Sequence, residues 1–563
     1  MHPLLTNEVG IKKLLLGNEA IVRGALEAGV AVSAAYPGTP SSEIANNLFF
    51  ISQEPDSPIY FEFSANEKVA MEVAAAAAAS GVRSLTCMKH VGMNVASDVL
   101  MTLAYVGVKA GMVIVTADDP SMHSSQNEQD NRIFAKFANL PMLEPTSPQE
   151  AKDMTIEAFE ISEKLELPVI IRTTTRTSHV RGPVEFGPLP KEIKKKGRFQ
   201  KDPRRWVPVP AVARIRHKVL LEKEEEARSL SETSNFNILT GSGRVGVVAS
   251  GVSACYVEDA INELSASDKI KFLRLGFPYP FPKKLLTDFI NGVDKILVVE
   301  ELEPFLEDEI KLLCKDLSID KEVFGKGSKH FSRMYEFDPQ MVKRAVADVA
   351  DLKLDEPQMP DLSDLPPLPL RPPTLCTGCP HRETYNAVKE ALKELGQEEN
   401  AIYPTDIGCY TLGLLPPIQM ADYLLCMGSS VGSSAGFSIA TDHKIVSFIG
   451  DSTFFHSGIS SLASAYHNKH KFCLVVLDNS TTAMTGHQPN PGIEITPPGY
   501  DKPRIPIEDV VKGLGIKAVY KINPYKKKDS IESLKEALSR DELTVVIAEA
   551  PCILYYRKVG GKK

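Results

Sequence analysis

Apolar and polar positions along the chain alternate in blocks rather than residue by residue. In GNEAIVRGALEAGV, residues Ile21, Val22, Ala25 and Leu26 fall at helical spacing, and the apolar run that follows leads into the loop AAYPGTPSSEI. This predicts a helix, a strand and a loop that opens a second helix, with Thr39 as its cap, Pro40 in its first turn and Glu43 near its positive end. YFEF then precedes the alanine-rich helical stretch NEKVAMEVAAAAAAS, and GMVIVTADD and LPVIIRTTT read as buried strands ending in polar residues. Buried strands alternating with amphipathic helices predict a parallel α/β sheet over residues 1–185.

The pattern changes at residue 186. Residues 186–235 are charged and contain several prolines, and read as a connector with some helix. A second α/β unit spans 236–350, with strands in GRVGVVASG, KIKFLRLG and DKILVVEE. The segment LKLDEPQMPDLSDLPPLPLRPP makes residues 351–373 an extended, proline-rich linker. Residues 374–563 form a third α/β unit, with HKIVSFIGDS, KFCLVVLDNS and LTVVIAEAP as strand-to-loop transitions. No short tandem repeat is evident.

Composition narrows what these units can do. A chain of 563 residues with 43% hydrophobic content is long enough for about three or four domains. A net charge of −8 argues against a general nucleic-acid binder, which would favour a basic surface. The basic cluster at Lys194, Lys195, Lys196, Arg204 and Arg205 is local, is followed by Glu222, Glu224, Glu225 and Glu226, and reads as a solvated linker. The N-terminus lacks the pattern of a signal peptide, and no window reaches the roughly 18 apolar residues of a spanning helix. A cytoplasmic protein without a membrane partner is therefore expected. In a reducing compartment its nine cysteines favour metal ligation or core positions over disulfides.

Two transitions in the third unit carry candidate chemistry. FIGDSTFFHSG places Asp451 just past a strand, and VVLDNSTTAMTGHQ places Asn479 just past the next, 28 residues later. If the two strands are parallel, both polar ends emerge at the carboxyl edge of the sheet, where open α/β sheets bind ligands. An aspartate and an asparagine there offer hard oxygen ligands for Mg²⁺. The small residues Gly450, Ser452 and Gly458 would let a diphosphate approach backbone N–H groups at a helix start. Upstream, Cys376 and Cys379 in LCTGCPHRETY could share a metal, form a redox disulfide or be free thiols. Cys409 in TDIGCYTLG and Cys552 in AEAPC follow apolar runs beside turn residues, as further ligands would. Cys473 lies inside an apolar run and reads as core, while Cys87, Cys255, Cys314 and Cys426 have no partner at useful spacing.

GDS…LDNSTTAMTGHQ resembles the thiamine diphosphate motif, and together with CTGCPH, DIGCYTLG and YPGTPSSE the chain resembles the large subunits of indolepyruvate ferredoxin oxidoreductases along nearly all its length. The resemblance implies three α/β domains of the thiamine-diphosphate-dependent, transketolase and pyruvate oxidoreductase-like type. These are a pyrimidine-binding domain, a transketolase C-terminal-like domain and a diphosphate-binding domain, in that order. By position it implies that Asp451, Asn479 and the Thr481 carbonyl hold Mg²⁺, that Gly450 and Ser452 border the cofactor, and that Glu67 meets the pyrimidine ring and assists removal of the thiazolium proton. Thr39 would contact substrate. His90, His123, His179, His381, His456 and His487 read as polar loop residues near such a site, and Arg132 and Arg176 as partners for a substrate carboxylate.

The same resemblance implies one [4Fe-4S] cluster on Cys376, Cys379, Cys409 and Cys552, with a zinc site or unrelated thiols as alternatives. The implied reaction is oxidative decarboxylation of an aryl 2-oxoacid such as indolepyruvate. Coenzyme A would accept the acyl group, and electrons would pass to ferredoxin or a separate ferredoxin-like subunit. A smaller beta subunit in an α2β2 assembly is expected. Two rivals are a non-redox thiamine-dependent decarboxylase or synthase and a non-catalytic zinc-binding assembly subunit. The family's large subunit usually continues into a ferredoxin-like segment with two further cysteine runs, whereas only ILYYRKVGGKK follows Cys552. Those clusters are therefore expected to be absent from this polypeptide.

Overall fold

A computed structural model of the protein describes residues 2–354, 361, 363–369, 371–493 and 502–558. It divides into two compact units, residues 1–360 and 361–563. The first unit holds a six-stranded, wholly parallel sheet in the order β3-β2-β4-β5-β7-β6. Its strands are β2 (Val32–Ala35), β3 (Tyr60–Phe63), β4 (Ser84–Lys89), β5 (Met112–Asp118), β6 (Met142–Leu143) and β7 (Val169–Thr174). β5 and β7 are buried at every residue, which explains why they read as continuous apolar runs. Two short strands absent from the sequence reading, β1 (Lys12–Leu16) and β8 (Arg181–Glu185), form a separate antiparallel pair.

The second sheet of this unit has the order β13-β12-β10-β11-β9. Its strands are β9 (Asn237–Thr240), β10 (Val245–Ala249), β11 (Ile270–Leu275), β12 (Lys295–Val299) and β13 (Glu322–Phe324). β9 runs antiparallel to β11, so this sheet is mixed at one edge. The charged connector is organised largely by one 23-residue helix, Pro210–Glu232. Its basic stretch is mostly exposed, but Arg205 pairs with Glu166 at 2.9 Å and stacks on Trp206. The proline-rich linker falls partly outside the described residues; residues 363–369 are exposed.

Arg132 is not available to a substrate. Its side chain is 1% exposed and is held by Asp130, by Glu300 at 2.7 Å and by the carbonyls of Glu301 and Glu303. The expectation that Arg132 receives a substrate carboxylate is corrected accordingly. Arg176, with a side chain 55% exposed, is bound through two nitrogens to Glu336. Because removing one partner strands buried charge, Arg132→Met is expected to destabilise the first unit by about 3–5 kcal/mol. A lowered apparent unfolding temperature relative to wild type would register it.

The second unit carries one parallel sheet, β14-β15-β16-β18-β17. These strands are β14 (Ala401–Ile402), β15 (Lys444–Gly450), β16 (Cys473–Asp478), β17 (Val519–Ile522) and β18 (Thr544–Glu549). Successive residues feed separate cores on the two faces: Val446, Phe448, Val475 and Val546 on one, Ile445, Ile449, Val476 and Ile547 on the other. Cys473 lies buried within β16. Burial on both faces fixes the register and leaves the strand ends to carry the chemistry.

Candidate functional site

In the first unit the carboxyl ends of β2, β3, β4 and β5 deliver Thr39, Glu67, Lys89 and Asp118–Asp119 to one edge. Thr39 does not cap the following helix, which begins at Ser42 with Ser41 at the N-cap. Its hydroxyl lies 3.4 Å from Ser42 Oγ and its carbonyl accepts from Ser124 Oγ. Glu67 opens the helix Glu67–Ala79, capped by Asn66, whose side chain accepts the Val69 N–H at 2.9 Å. The Glu67 residue is 5% exposed. Room for it comes from Gly92: a Cβ there would lie 2.7 Å from both Cγ and Oε1 of Glu67.

Lys89 was not singled out by sequence reasoning. Its ammonium donates to the Ser124 carbonyl at 3.0 Å, and burial pushes it down to about 8, opposed by the charges of Asp119 and Glu67. A lysine ending a parallel strand is the signal that could have found it. The histidines do not share one environment. His90 is buried at the start of a helix, beside the Asn127 carbonyl, and burial pushes it down to about 4. His123 and His179 face Glu336 and Glu43, and the hydrogen bond to Glu43 raises His179.

In the second unit β15 and β16 are adjacent and parallel, so Asp451 and Asn479 emerge at the same sheet edge. Asp451 begins a helix whose next turn, Phe454–Gly458, is a π-turn containing buried His456. Such turns recur at functional sites. Asp451 Oδ2 accepts from Asn490 Nδ2 at 3.0 Å. Burial, reinforced by the charge of Asp478, pushes the Asp451 carboxyl up to about 8. A buried carboxylate in this setting fits a cation, whose charge would favour its ionised form. Asn479 Oδ1 accepts the Thr481 N–H at 3.2 Å, while Ser452 Oγ accepts from Thr482 Oγ1. Gly450 lies against Tyr410: a Cβ there would come within 2.6 Å of the ring. Tyr410 in turn hydrogen-bonds Thr453 Oγ1 at 3.2 Å.

Cys376, Cys379, Cys409 and Cys552 line one cavity of about 110 Å³, together with His381, Asn479 and His487. Three turns bring them there. Cys379 caps the helix Pro380–Glu394, Cys409 opens a 3₁₀ turn, and Cys552 follows β18 with its N–H donating to the Asn479 carbonyl at 2.8 Å. Burial pushes the Cys409 thiol up to about 12, with added repulsion from Cys552, Cys379 and Cys376. Polycationic iron would relieve that repulsion, so the donor set fits a cluster. His381 is buried and pushed down to about 4, keeping its ring neutral. His487 stacks on Tyr555 with ring centroids 5.3 Å apart. Among the described residues no three His, Cys, Asp or Glu side chains form a group suited to a single metal ion. Nor is any helix there long and apolar enough to cross a membrane.

Family models match each of these regions: the thiamine diphosphate-binding part of pyruvate flavodoxin/ferredoxin oxidoreductase over 23–229, an indolepyruvate oxidoreductase domain over 238–358, and the C-terminal thiamine pyrophosphate-binding domain over 406–548. Fold and site thus define a thiamine diphosphate-dependent oxidoreductase subunit. Indolepyruvate oxidoreductase subunit IorA of Methanothermobacter thermautotrophicus is 50% identical over 566 residues, covering 100% of this chain and 90% of that protein. Those of Thermococcus kodakarensis and Archaeoglobus fulgidus are 47% and 42% identical, over 99% and 100% of this chain and 88% and 90% of theirs. The chain belongs to the indolepyruvate oxidoreductase subunit IorA family.

Proposed function

We propose that the chain is the large subunit of an enzyme that oxidatively decarboxylates indolepyruvate or other aryl pyruvates, forming acyl-CoA and passing electrons to ferredoxin. The observation that carries this reading is the shared lining of one cavity: four cysteines and Asn479, the latter beside Asp451 at the sheet edge. A redox group held there would adjoin a site for a diphosphate and its cation. In this reading residues 1–185 bind the pyrimidine and 374–563 the diphosphate, with 186–235 connecting them to a transketolase C-terminal-like domain at 236–350 and 351–373 as linker.

Bound thiamine diphosphate supplies the nucleophilic carbon and the electron sink for decarboxylation. Asp451, Asn479 and the Thr481 carbonyl would hold Mg²⁺ against the diphosphate, with Gly450 and Ser452 presenting backbone at the helix start. Glu67 would bind the pyrimidine nitrogen and assist proton removal from the thiazolium, and Thr39 would hydrogen-bond substrate. Four thiolates, each on its own iron, suit a [4Fe-4S] cluster better than a single zinc ion, which would need them converged at about 2.3 Å. A smaller beta subunit, in an α2β2 assembly, would complete the enzyme.

Anaerobic purification with the beta subunit, followed by iron analysis and a 2-oxoacid panel, tests the whole reading. Aryl pyruvates should reduce ferredoxin in the presence of coenzyme A; a colourless preparation that decarboxylates without an electron acceptor would refute it. Glu67→Gln should leave cofactor binding intact but slow exchange of the thiazolium proton by about a hundredfold or more, measured by NMR. Near-normal exchange would remove Glu67 from this role.

A further inference from the structure

His381 follows Cys379 by two residues and lies in the first turn of the helix Pro380–Glu394, 3% exposed. Its Nε2 is 3.0 Å from Asn479 Nδ2, and its ring meets Tyr410 edge to face with centroids 5.8 Å apart. An amide nitrogen can only donate, so this contact requires the lone pair of a neutral imidazole. With the nitrogen so engaged, the Asn479 oxygen is left to the opposite side of the amide, where it accepts the Thr481 N–H. The two ends of an asparagine amide have nearly the same shape and opposite polarity. Without the histidine only the Thr481 N–H would oppose the amide's turning over to present N–H groups to a cation, which repels them.

We propose that His381 is a positioning residue that fixes the Asn479 amide so that its oxygen, and not its nitrogen, faces the cation. The assignment rests on the reading of Asn479 as a cation ligand. It gives the buried histidine beside the cysteines a task in the neighbouring cation site, separate from thiol ligation. Helix and ring packing hold the imidazole in place: Pro380 begins the helix and Tyr410 closes one side.

The test is Mn²⁺ binding to the assembled enzyme with thiamine diphosphate present, followed by electron paramagnetic resonance of the free ion. His381→Leu removes the acceptor and should weaken Mn²⁺ binding on the order of tenfold to a hundredfold. His381→Gln offers an oxygen acceptor and should recover most of that loss. In an Asn479→Asp background, where both side-chain oxygens are alike, the leucine change should add almost nothing. Wild-type-like Mn²⁺ affinity in His381→Leu would overturn the assignment. So would equal losses in the leucine and glutamine variants, or full additivity in the aspartate background. Absence of Mn²⁺-dependent cofactor binding in the wild-type enzyme would overturn the cation-site reading, and the assignment with it.

Discussion

Asp451→Ala is expected to abolish binding of Mg²⁺ and thiamine diphosphate, with a loss of more than roughly a hundredfold in calorimetric affinity. The diphosphate needs a cation to offset its charge at a sheet edge already occupied by the acids Asp451, Asp478 and Glu549. Asp451 is the central anion of the proposed ligand set, 3% exposed, and Asn490 is placed to orient it. Alanine removes the charge while leaving the preceding strand's pairing with β16 untouched, so the fold should persist. Tight cofactor binding by the alanine variant would sink the metal assignment.

Simultaneous Cys409→Ala and Cys552→Ala should remove all cluster iron, from about four atoms per chain to none. Cys409 and Cys552 approach the cavity from separate turns, so a cluster left on Cys376 and Cys379 alone would have only half its thiolates. Eight or more iron atoms per wild-type chain, or a cluster surviving both substitutions, would show the ligand assignment to be wrong. If the iron count holds while ferredoxin reduction is slow until a small cysteine-rich protein is added, that protein carries electrons onward.

Much of this arrangement was legible because parallel strands simplify the text. β15 and β16 each show a buried apolar run closed by a polar residue, so Asp451 and Asn479 could be placed at one edge before any coordinates. Glu67 was singled out by the family resemblance instead; it opens the helix that follows β3. Less local features escaped. Nothing near Arg132 announces Glu300, 168 positions away, yet that contact helps take the arginine out of consideration for substrate. The edge strand β9 is short and half exposed, and carries no strong periodic signal. The π-turn after Asp451, over Phe454–Gly458, has no signal in the apolar and polar pattern. The histidines looked alike in sequence because burial, which separates His90 and His381 from His123, depends on distant neighbours.

At position 479 the side chain meets His381, whereas the main-chain carbonyl takes the Cys552 N–H. One residue thereby makes two connections through different atoms. The contact toward Cys552 depends on the backbone path alone. In the proposed cation site the side chain would have to present an oxygen donor. A substitution at this position can thus remove the side-chain contact to His381 while the backbone hydrogen bond that supports Cys552 stays in place.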